Sequence, residues 1–328
     1  MSWVLVIGAV FSLALLWTLY TYITTHAVCQ LPYRLDGQLV LVTGCNQGIG
    51  LELVGELARR GARVVMACRD LERAKTGRQQ LLRRFGTGVD VEPSQPYQSP
   101  ITEEQLTCEL LDLASYKSIR SFADRMRQKN EPIKILVNNG GIDLYKPEYD
   151  SSGIELQLKV NHLGHFLLSQ WLRPLLDAAG GARIVVTSSL RHRFATLNLE
   201  DLSHPIVGAC YSSSKLANVI HANELSKRWG PNIVAVSLHP GLVRTEVFRH
   251  HPIRHWIVHH MRFSKTAWQG AQTLLHCCLA KDLVPGGYYA ECRLATVNSQ
   301  ALQDGVGEKL WMASEQLVER WSQQPEEQ

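Results

Sequence analysis

Gln38-Leu-Val-Leu-Val-Thr43, continuing without a break into Gly44-Cys-Asn-Gln-Gly48-Ile-Gly50 and then Leu51-Glu-Leu-Val-Gly-Glu-Leu-Ala-Arg-Arg60, commits the chain to one architecture. The first six residues are apolar and bounded by turn formers, which predicts a buried strand. The last ten follow helical periodicity. Glycines at 44, 48 and 50 permit a tight turn and let the backbone N–H groups of a helix N-terminus approach a pyrophosphate. Ala62-Arg-Val-Val-Met-Ala67 supplies a second strand and completes a strand, turn, helix, strand unit.

Working outward, the second strand ends in Ala67-Cys68-Arg69. An acidic residue there would accept from a ribose 2′-hydroxyl, whereas a basic one pairs with a 2′-phosphate, so Arg69 favours NADP, with NAD as the alternative. Asp70 complicates the local charge, and a helix is expected over Leu71–Phe85. Gly86 to Glu104 is rich in turn formers and reads as a surface loop without chemistry. A strand over Leu106–Leu111 leads to Asp112, placed either beside an adenine edge or as the N-cap of a helix around Ser115–Gln128. Ile133–Val137 is another strand and runs into Asn138-Asn-Gly140-Gly141, where amides and glycines suit close approach to a cofactor.

A long helix is expected over roughly Gly153–Asp177, carrying Asn161 as a polar residue amid apolar periodicity. Arg183-Ile-Val-Val-Thr-Ser188-Ser189 delivers two hydroxyls at a strand's carboxyl end. Tyr211-Ser-Ser-Ser-Lys215 follows, and a spacing of four puts phenol and ammonium on one helical face. A cation beside a phenol favours the phenolate, which makes the pair a general acid/base candidate. Ile233–Leu238 is the next strand and ends in His239-Pro240-Gly241-Leu-Val243-Arg-Thr245. Helices are expected over Lys265–Ala280 and Leu310–Trp321. The alternation implies an α/β, Rossmann-type doubly wound parallel sheet with helices on both faces and right-handed crossovers.

At 328 residues and 45% hydrophobic, the chain can bury one large core and requires no second one. Its net charge of +4 comes from mixed Lys, Arg, Asp and Glu with no basic stripe, which argues against a nucleic-acid partner. Eight cysteines show no CxxC pair and no metal-finger spacing, so they read as small apolar residues of a reduced domain. Met1 to Tyr33 contains no Asp, Glu, Lys or Arg, and Trp3–Ile23 is almost unbroken apolar sequence. About 21 residues at ~1.5 Å each cover roughly 31 Å, enough for a hydrocarbon core. There is no basic n-region and no clear cleavage site, which favours an uncleaved transmembrane anchor over a signal peptide. The expected organisation is an anchor over 1–30 and one dinucleotide-binding domain over 36–322. Arg34 on the C-terminal flank places that domain on the cytosolic side by the positive-inside bias.

Thr43-Gly-Cys-Asn-Gln-Gly-Ile-Gly50, Asn138-Asn-Gly-Gly141, Asn161, Ser189, Tyr211-x-x-x-Lys215 and His239-Pro-Gly241 together resemble the short-chain dehydrogenase/reductase family over about Asp36–Arg320. Lys159-Val-Asn-His-Leu-Gly-His-Phe-Leu-Leu168 and Gly287-Tyr-Tyr-Ala-Glu-Cys292 look most like its membrane-anchored retinol dehydrogenase branch and that branch's orphan relatives. The resemblance implies that Tyr211 is the proton donor and acceptor. It implies that Lys215 lowers the tyrosine pKa and binds the nicotinamide ribose, that Ser189 (Ser188 being the alternative) polarises the substrate oxygen, and that Asn161 holds a relay water. For the cofactor it implies contacts from Gly44, Asn46, Gln47, Gly48, Ile49, Gly50, Arg69, Asp112, Asn138, Gly140, Pro240, Gly241, Val243 and Thr245 in addition to Tyr211 and Lys215.

Cys45 and Gly140 stand where the family usually has Ala. His251, His255 and His259 have helical spacing, but no Cys or carboxylate completes a metal set, and the segment reads as a lid or a bilayer contact. The sequence therefore predicts an NADP-preferring alcohol/carbonyl oxidoreductase. The resemblance and the anchor imply a lipophilic substrate, retinoid-like first and steroid or lipid aldehyde second, at the endoplasmic reticulum, with a lipid droplet or another organelle as alternatives. The rival is a non-catalytic, membrane-anchored dinucleotide-binding protein acting through protein partners.

Overall fold

Every residue of β1 (Leu39–Thr43) is buried, as a strand covered by helices on both faces must be. In the computed structural model, which describes residues 27–89, 95–205, 208–244 and 264–324, β1 is an interior strand of an eight-stranded sheet. β2 (Arg63–Cys68) and β3 (Leu106–Leu110) lie on one side. β4 (Ile133–Asn138), β5 (Ala182–Thr187), β6 (Ile233–Leu238) and β7 (Tyr288–Ala290) lie on the other. The order is β3-β2-β1-β4-β5-β6-β7-β8, parallel throughout except for β8 (Arg293–Leu294), which pairs antiparallel with β7. Strand order reverses between β1 and β4, and the crevice at that switch point is where such sheets bind ligands.

The side chains of β1 alternate between two cores. Leu41 joins Leu136 and Ile184 against α3 (Tyr116–Lys129), α4 (Gly164–Asp177), α5 (Cys210–Trp229) and α7 (Val306–Ser322), whose Phe122, Phe166, Leu216 and Trp311 are buried there. Val40 and Val42 face α1 (Gly48–Arg59), α2 (Leu71–Phe85) and α6 (Ala267–Leu279) through Leu53, Leu81 and Leu274. Truncating one of these Leu, Ile, Phe or Trp side chains to Ala removes roughly 2–5 kcal/mol. Asp70 caps α2 by accepting from Arg73 N, Ser115 caps α3, and Thr266 with Gln269 forms a capping box on α6.

Several expectations change. The helix expected from Gly153 begins at Leu156, because Gly153 takes a left-handed φ of 67° and Glu155 caps the next turn by accepting from Leu158 N. Lys159–Leu163 is then wound as a π-helix before α4 starts. Asp112 does not cap α3. That role is Ser115's, while Asp112 Oδ1 accepts from Ala114 N in its own turn. α7 begins four residues before the expected Leu310. β7 and β8 were not expected, being too short to show a period of two.

Among the described residues no helix is long and apolar enough to cross a membrane. The expected anchor falls almost wholly on residues 1–26, outside the described residues, as do Thr245 and the histidine-rich segment. Ala27 to Gln30, counted with the anchor, pack on the domain: Ala27 N donates to Glu291, Cys29 N donates to Gln272, and Cys29 is buried.

Candidate active site

The carboxyl ends of the parallel strands open into a cleft of about 670 Å³. Gly44, Asn46, Gln47, Gly48, Ile49 and Gly50 line one end, where the turn after β1 enters α1. A Cβ on Gly44 would lie 2.6 Å from Gly140 Cα, and Gly44 has a φ of 62°. A Cβ on Gly50 would lie 2.8 Å from the Asn139 amide and from Cys45 Cα. Only glycine keeps this cradle open. Beneath it Cys45 Sγ and Cys68 Sγ are 3.7 Å apart, both buried thiols.

At the end of β2, Arg69 lines the cleft and is exposed. The Asp70 carboxylate is occupied by Arg73 N and Arg73 Nε, at 3.0 and 3.3 Å. Arg73, which the sequence reading missed, also lines this end. Asp112, Gly140, Pro240, Gly241 and Val243 line the cleft as well.

Asn138 does not. Its side chain is fully buried behind β4 and donates to Ser169 Oγ at 3.0 Å, because the strand alternation turns it towards α4. Asn139 lines the cleft instead, and its amide donates to the carbonyls of Thr43 and Gly44. Thr43 Oγ1 accepts from the backbone N–H groups of Asn139 and Gly140 at 3.0 and 2.9 Å and lies 2.8 Å from His165 Nε2. Burial pushes His165 down to about 3, so the ring is neutral. Its Nδ1–H donates to the Asn161 carbonyl at 3.1 Å, which leaves Nε2 to accept from Thr43.

Asn161 sits in the π-helical turn, fully buried and outside the cleft lining. Its Oδ1 accepts from Ile142 N, and its amide donates to Ile142 O and Ser214 Oγ. The side chain fixes the backbone that borders the cleft. Gly141, on that backbone, would place a Cβ 3.1 Å from Asn161 Oδ1 and 3.3 Å from Lys215 Nζ.

Tyr211 and Lys215 lie on the first turns of α5 and both line the cleft. Lys215 Nζ is 5.6 Å from the centre of the Tyr211 ring and donates to the Thr187 carbonyl at 3.1 Å. Ser188 Oγ donates to the Lys215 carbonyl at 2.6 Å, whereas Ser189 Oγ accepts from the Arg191 backbone N–H at 3.3 Å and is near enough to the Tyr211 hydroxyl to favour its ionisation. Burial pushes the Tyr211 phenol up to about 12, Asp143 adds to the rise, and the Ser189 hydroxyl and Arg191 oppose it. Burial also pushes Lys215 down to about 8, against the Asp143 carboxylate, which raises it. The phenol is therefore raised here, not lowered as expected of Lys215: burial outweighs the neighbouring cations, and the ammonium is bonded to a carbonyl.

Two orphaned polar atoms mark the same region. Thr187 Oγ1 and His239 Nδ1 are buried, belong to cleft-lining residues, and have no hydrogen-bond partner among the described residues. Together with the glycine cradle they fit a bound dinucleotide.

Residues 38–254 match the short chain dehydrogenase family model. Retinol dehydrogenase 12 of Bos taurus is 37% identical over 302 residues, covering 90% of each chain. Retinol dehydrogenase 14 of Mus musculus is also 37% identical, over 88% of this chain and 87% of its own. Among solved structures, an uncharacterised protein from Mycobacterium paratuberculosis superposes with a TM-score of 0.68 at 28% identity, covering 88% of this chain and 96% of the other. A gluconate 5-dehydrogenase from Burkholderia cenocepacia J2315, in complex with NADP and tartrate, superposes at 0.59 with 22% identity, over 82% of this chain and 96% of its own, which speaks for the fold alone.

Proposed function

The chain belongs to the short-chain dehydrogenase family and is an NAD(P)-dependent alcohol oxidoreductase; from that premise we propose that it prefers NADP and interconverts an alcohol and a carbonyl on a lipophilic substrate. A retinoid-like substrate ranks first and a steroid or lipid aldehyde second. The observation that carries this reading is the convergence of Ser189, Tyr211 and Lys215 on the switch-point cleft, with Lys215 one turn beyond Tyr211 on the same helix and 5.6 Å from its ring.

Gly44, Asn46, Gln47, Gly48, Ile49 and Gly50 would hold the pyrophosphate on the N-terminus of α1. Arg69 with Arg73 would take the 2′-phosphate, Asp112 the adenine side, and Gly140, Pro240, Gly241, Val243 and Thr245 the nicotinamide half. When bound, the cofactor supplies or accepts the hydride. Tyr211 delivers a proton to the carbonyl oxygen in reduction and removes it from the alcohol in oxidation. Ser189 donates to that oxygen as charge develops. Lys215 binds the ribose and returns the proton balance of the phenol. Asn161 fixes the cleft-bordering backbone, and its relay water remains part of this proposal.

A lipophilic substrate agrees with Ile142, Val160, Leu190 and Leu242 in the lining, of which Leu190 and Leu242 are 48% and 41% exposed. It also agrees with the names of the retinol dehydrogenase relatives. The apolar residues 1–23 would hold the 36–322 domain on the cytosolic face of the endoplasmic reticulum or a lipid droplet. Protease added to sealed microsomes then digests the domain without detergent, and full protection would place it in the lumen. The rival, a non-catalytic dinucleotide-binding protein acting through partners, gives no use to the Ser189–Tyr211 pair. Purified protein tested with NADPH and NADH against a panel of lipophilic carbonyls decides. Turnover that prefers NADPH and disappears in Tyr211→Phe is expected, and no turnover on any member of the panel would overturn the substrate class.

A further inference from the structure

The cleft holds a charged pair that the proposed proton chemistry does not use. Asp143 follows β4 and Arg191 follows β5, and both line the cleft. Asp143 is 2% exposed, and its carboxylate is 3.2 Å from Arg191 Nη1. The Arg191 guanidinium lies 5.0 Å from the centre of the Tyr211 ring, closer than the ammonium of Lys215 at 5.6 Å. The Arg191 backbone N–H also donates to Ser189 Oγ at 3.3 Å. Arg191 thus touches both members of the Ser189–Tyr211 pair, and a nearly inaccessible carboxylate anchors its head group.

A buried carboxylate is costly unless paired, and one placed beside a phenol opposes formation of the phenolate. A planar guanidinium can do two things at once there: it can pair with the carboxylate and pack against an aromatic face. Among the described residues, the charged groups facing the Tyr211 side chain are Lys215 on its own helix, Asp143 after β4 and Arg191 after β5.

We propose that Arg191, tethered by Asp143, is a positioning residue for Tyr211: it fixes the ring face and offsets the negative charge that Asp143 brings to the phenol. This rests on Tyr211 being the acid–base. The two charges act in opposite directions, Asp143 holding the phenol in its protonated form and Arg191 favouring ionisation. The same carboxylate raises Lys215 against the lowering that its burial imposes. The pair therefore sets how the cleft divides its proton between oxidation and reduction.

The test uses the full-length protein in its complex with NADP+, comparing wild type with Arg191→Met, Arg191→Lys, Asp143→Asn and the double variant Asp143→Asn/Arg191→Met. Two readouts are taken: the pH profile of kcat for alcohol oxidation, and the phenolate absorbance of Tyr211 as the difference from Tyr211→Phe, which needs no turnover. Oxidation requires the phenolate, so losing Arg191 moves the rising limb alkaline, by about one pH unit. Asp143→Asn keeps a hydrogen-bond acceptor for Arg191 but loses the charge, and moves the limb towards acid. Arg191→Lys restores the position of the limb, and the double variant returns close to wild type. Arg193→Met, which removes a cation that bonds Thr296 at the surface, moves neither readout. Single variants that lower kcat while leaving the limb and the phenolate titration in place would reduce the pair to a packing role and overturn the proposal, as would shifts of the same sign. An immobile activity limb in a protein whose Tyr211→Phe variant is still active would instead sink the acid–base reading itself.

Discussion

The Ser188 hydroxyl donates to the backbone carbonyl of Lys215 at 2.6 Å, which ties the end of β5 to the second turn of α5. That bond occupies Ser188 and leaves Ser189, on the opposite side of the extended backbone, to meet Tyr211. The two adjacent serines should therefore separate in mutagenesis. Ser189→Ala loses a donor to the developing charge and is expected to lower kcat by about 10²–10³-fold with little loss of stability. Ser188→Ala breaks a buried hydrogen bond and is expected to cost about 1 kcal/mol in urea unfolding while keeping most of kcat. The reverse pattern would exchange their roles.

Tyr211→Phe removes the hydroxyl and keeps the ring on which Arg191 and Lys215 pack. Turnover should fall by at least about 10²–10⁴-fold in both directions. NADPH affinity, read by quenching of protein fluorescence, should stay within a few-fold of wild type, because the cradle is built elsewhere. Activity above a few per cent would remove Tyr211 from the chemistry.

Much of this site was legible in the sequence because its signals are local. Gly44, Gly48 and Gly50 mark a strand-to-helix turn by spacing alone, and Tyr211 and Lys215 mark one helical face. What escaped depends on contacts between distant segments. Asn138 and Asn139 are adjacent and chemically identical, and only the pleat of β4 and the position of Ser169 send one inward and the other to the cleft. Asp143 and Arg191 are 48 residues apart and each reads as an ordinary surface charge until β4 and β5 pair. The π-helical turn at Lys159–Leu163 has no signature in periodicity, and Asn161 takes its role from it.

Arg69 and Arg73 stand at the cleft's β2 end with Asp70 already engaged by Arg73. A 2′-phosphate that loses one of its cations loses a charge-assisted hydrogen bond worth roughly 1.5–3 kcal/mol. Arg69→Ala is expected to raise Kd for NADPH about tenfold or more while leaving that for NADH nearly unchanged, and Arg73→Ala to weaken NADPH binding as well, because it also leaves the Asp70 carboxylate unpaired beside the phosphate. Isothermal titration with both cofactors measures this. Equal weakening of NADH and NADPH would make Arg69 a structural residue.

The neutral His165 carries the last prediction, since it links Thr43 at the end of β1 to the Asn161 carbonyl in the π-helical turn. Burial holds it at about 3, and holds His162 at about 4 and His239 at about 3, whereas a free imidazole titrates near pH ~6.5. The unfolded chain therefore binds protons that the folded chain refuses. For such a depressed base the stability is fully present above about pH 6.5 and falls as pH drops towards the folded values, by up to ~1.4 kcal/mol per pH unit for each group. Urea midpoints followed by circular dichroism should decline steeply from about pH 6.5 to pH 5. His165→Gln should start from a lower midpoint at neutral pH, because the buried ring that bridges Thr43 and the Asn161 carbonyl is lost, and then decline with a shallower slope, because one fewer proton is taken up on unfolding. An unchanged slope in that variant would mean that His165 is protonated in the fold, and a midpoint that stays flat between about pH 7 and pH 5 would show that none of the three buried rings is held neutral.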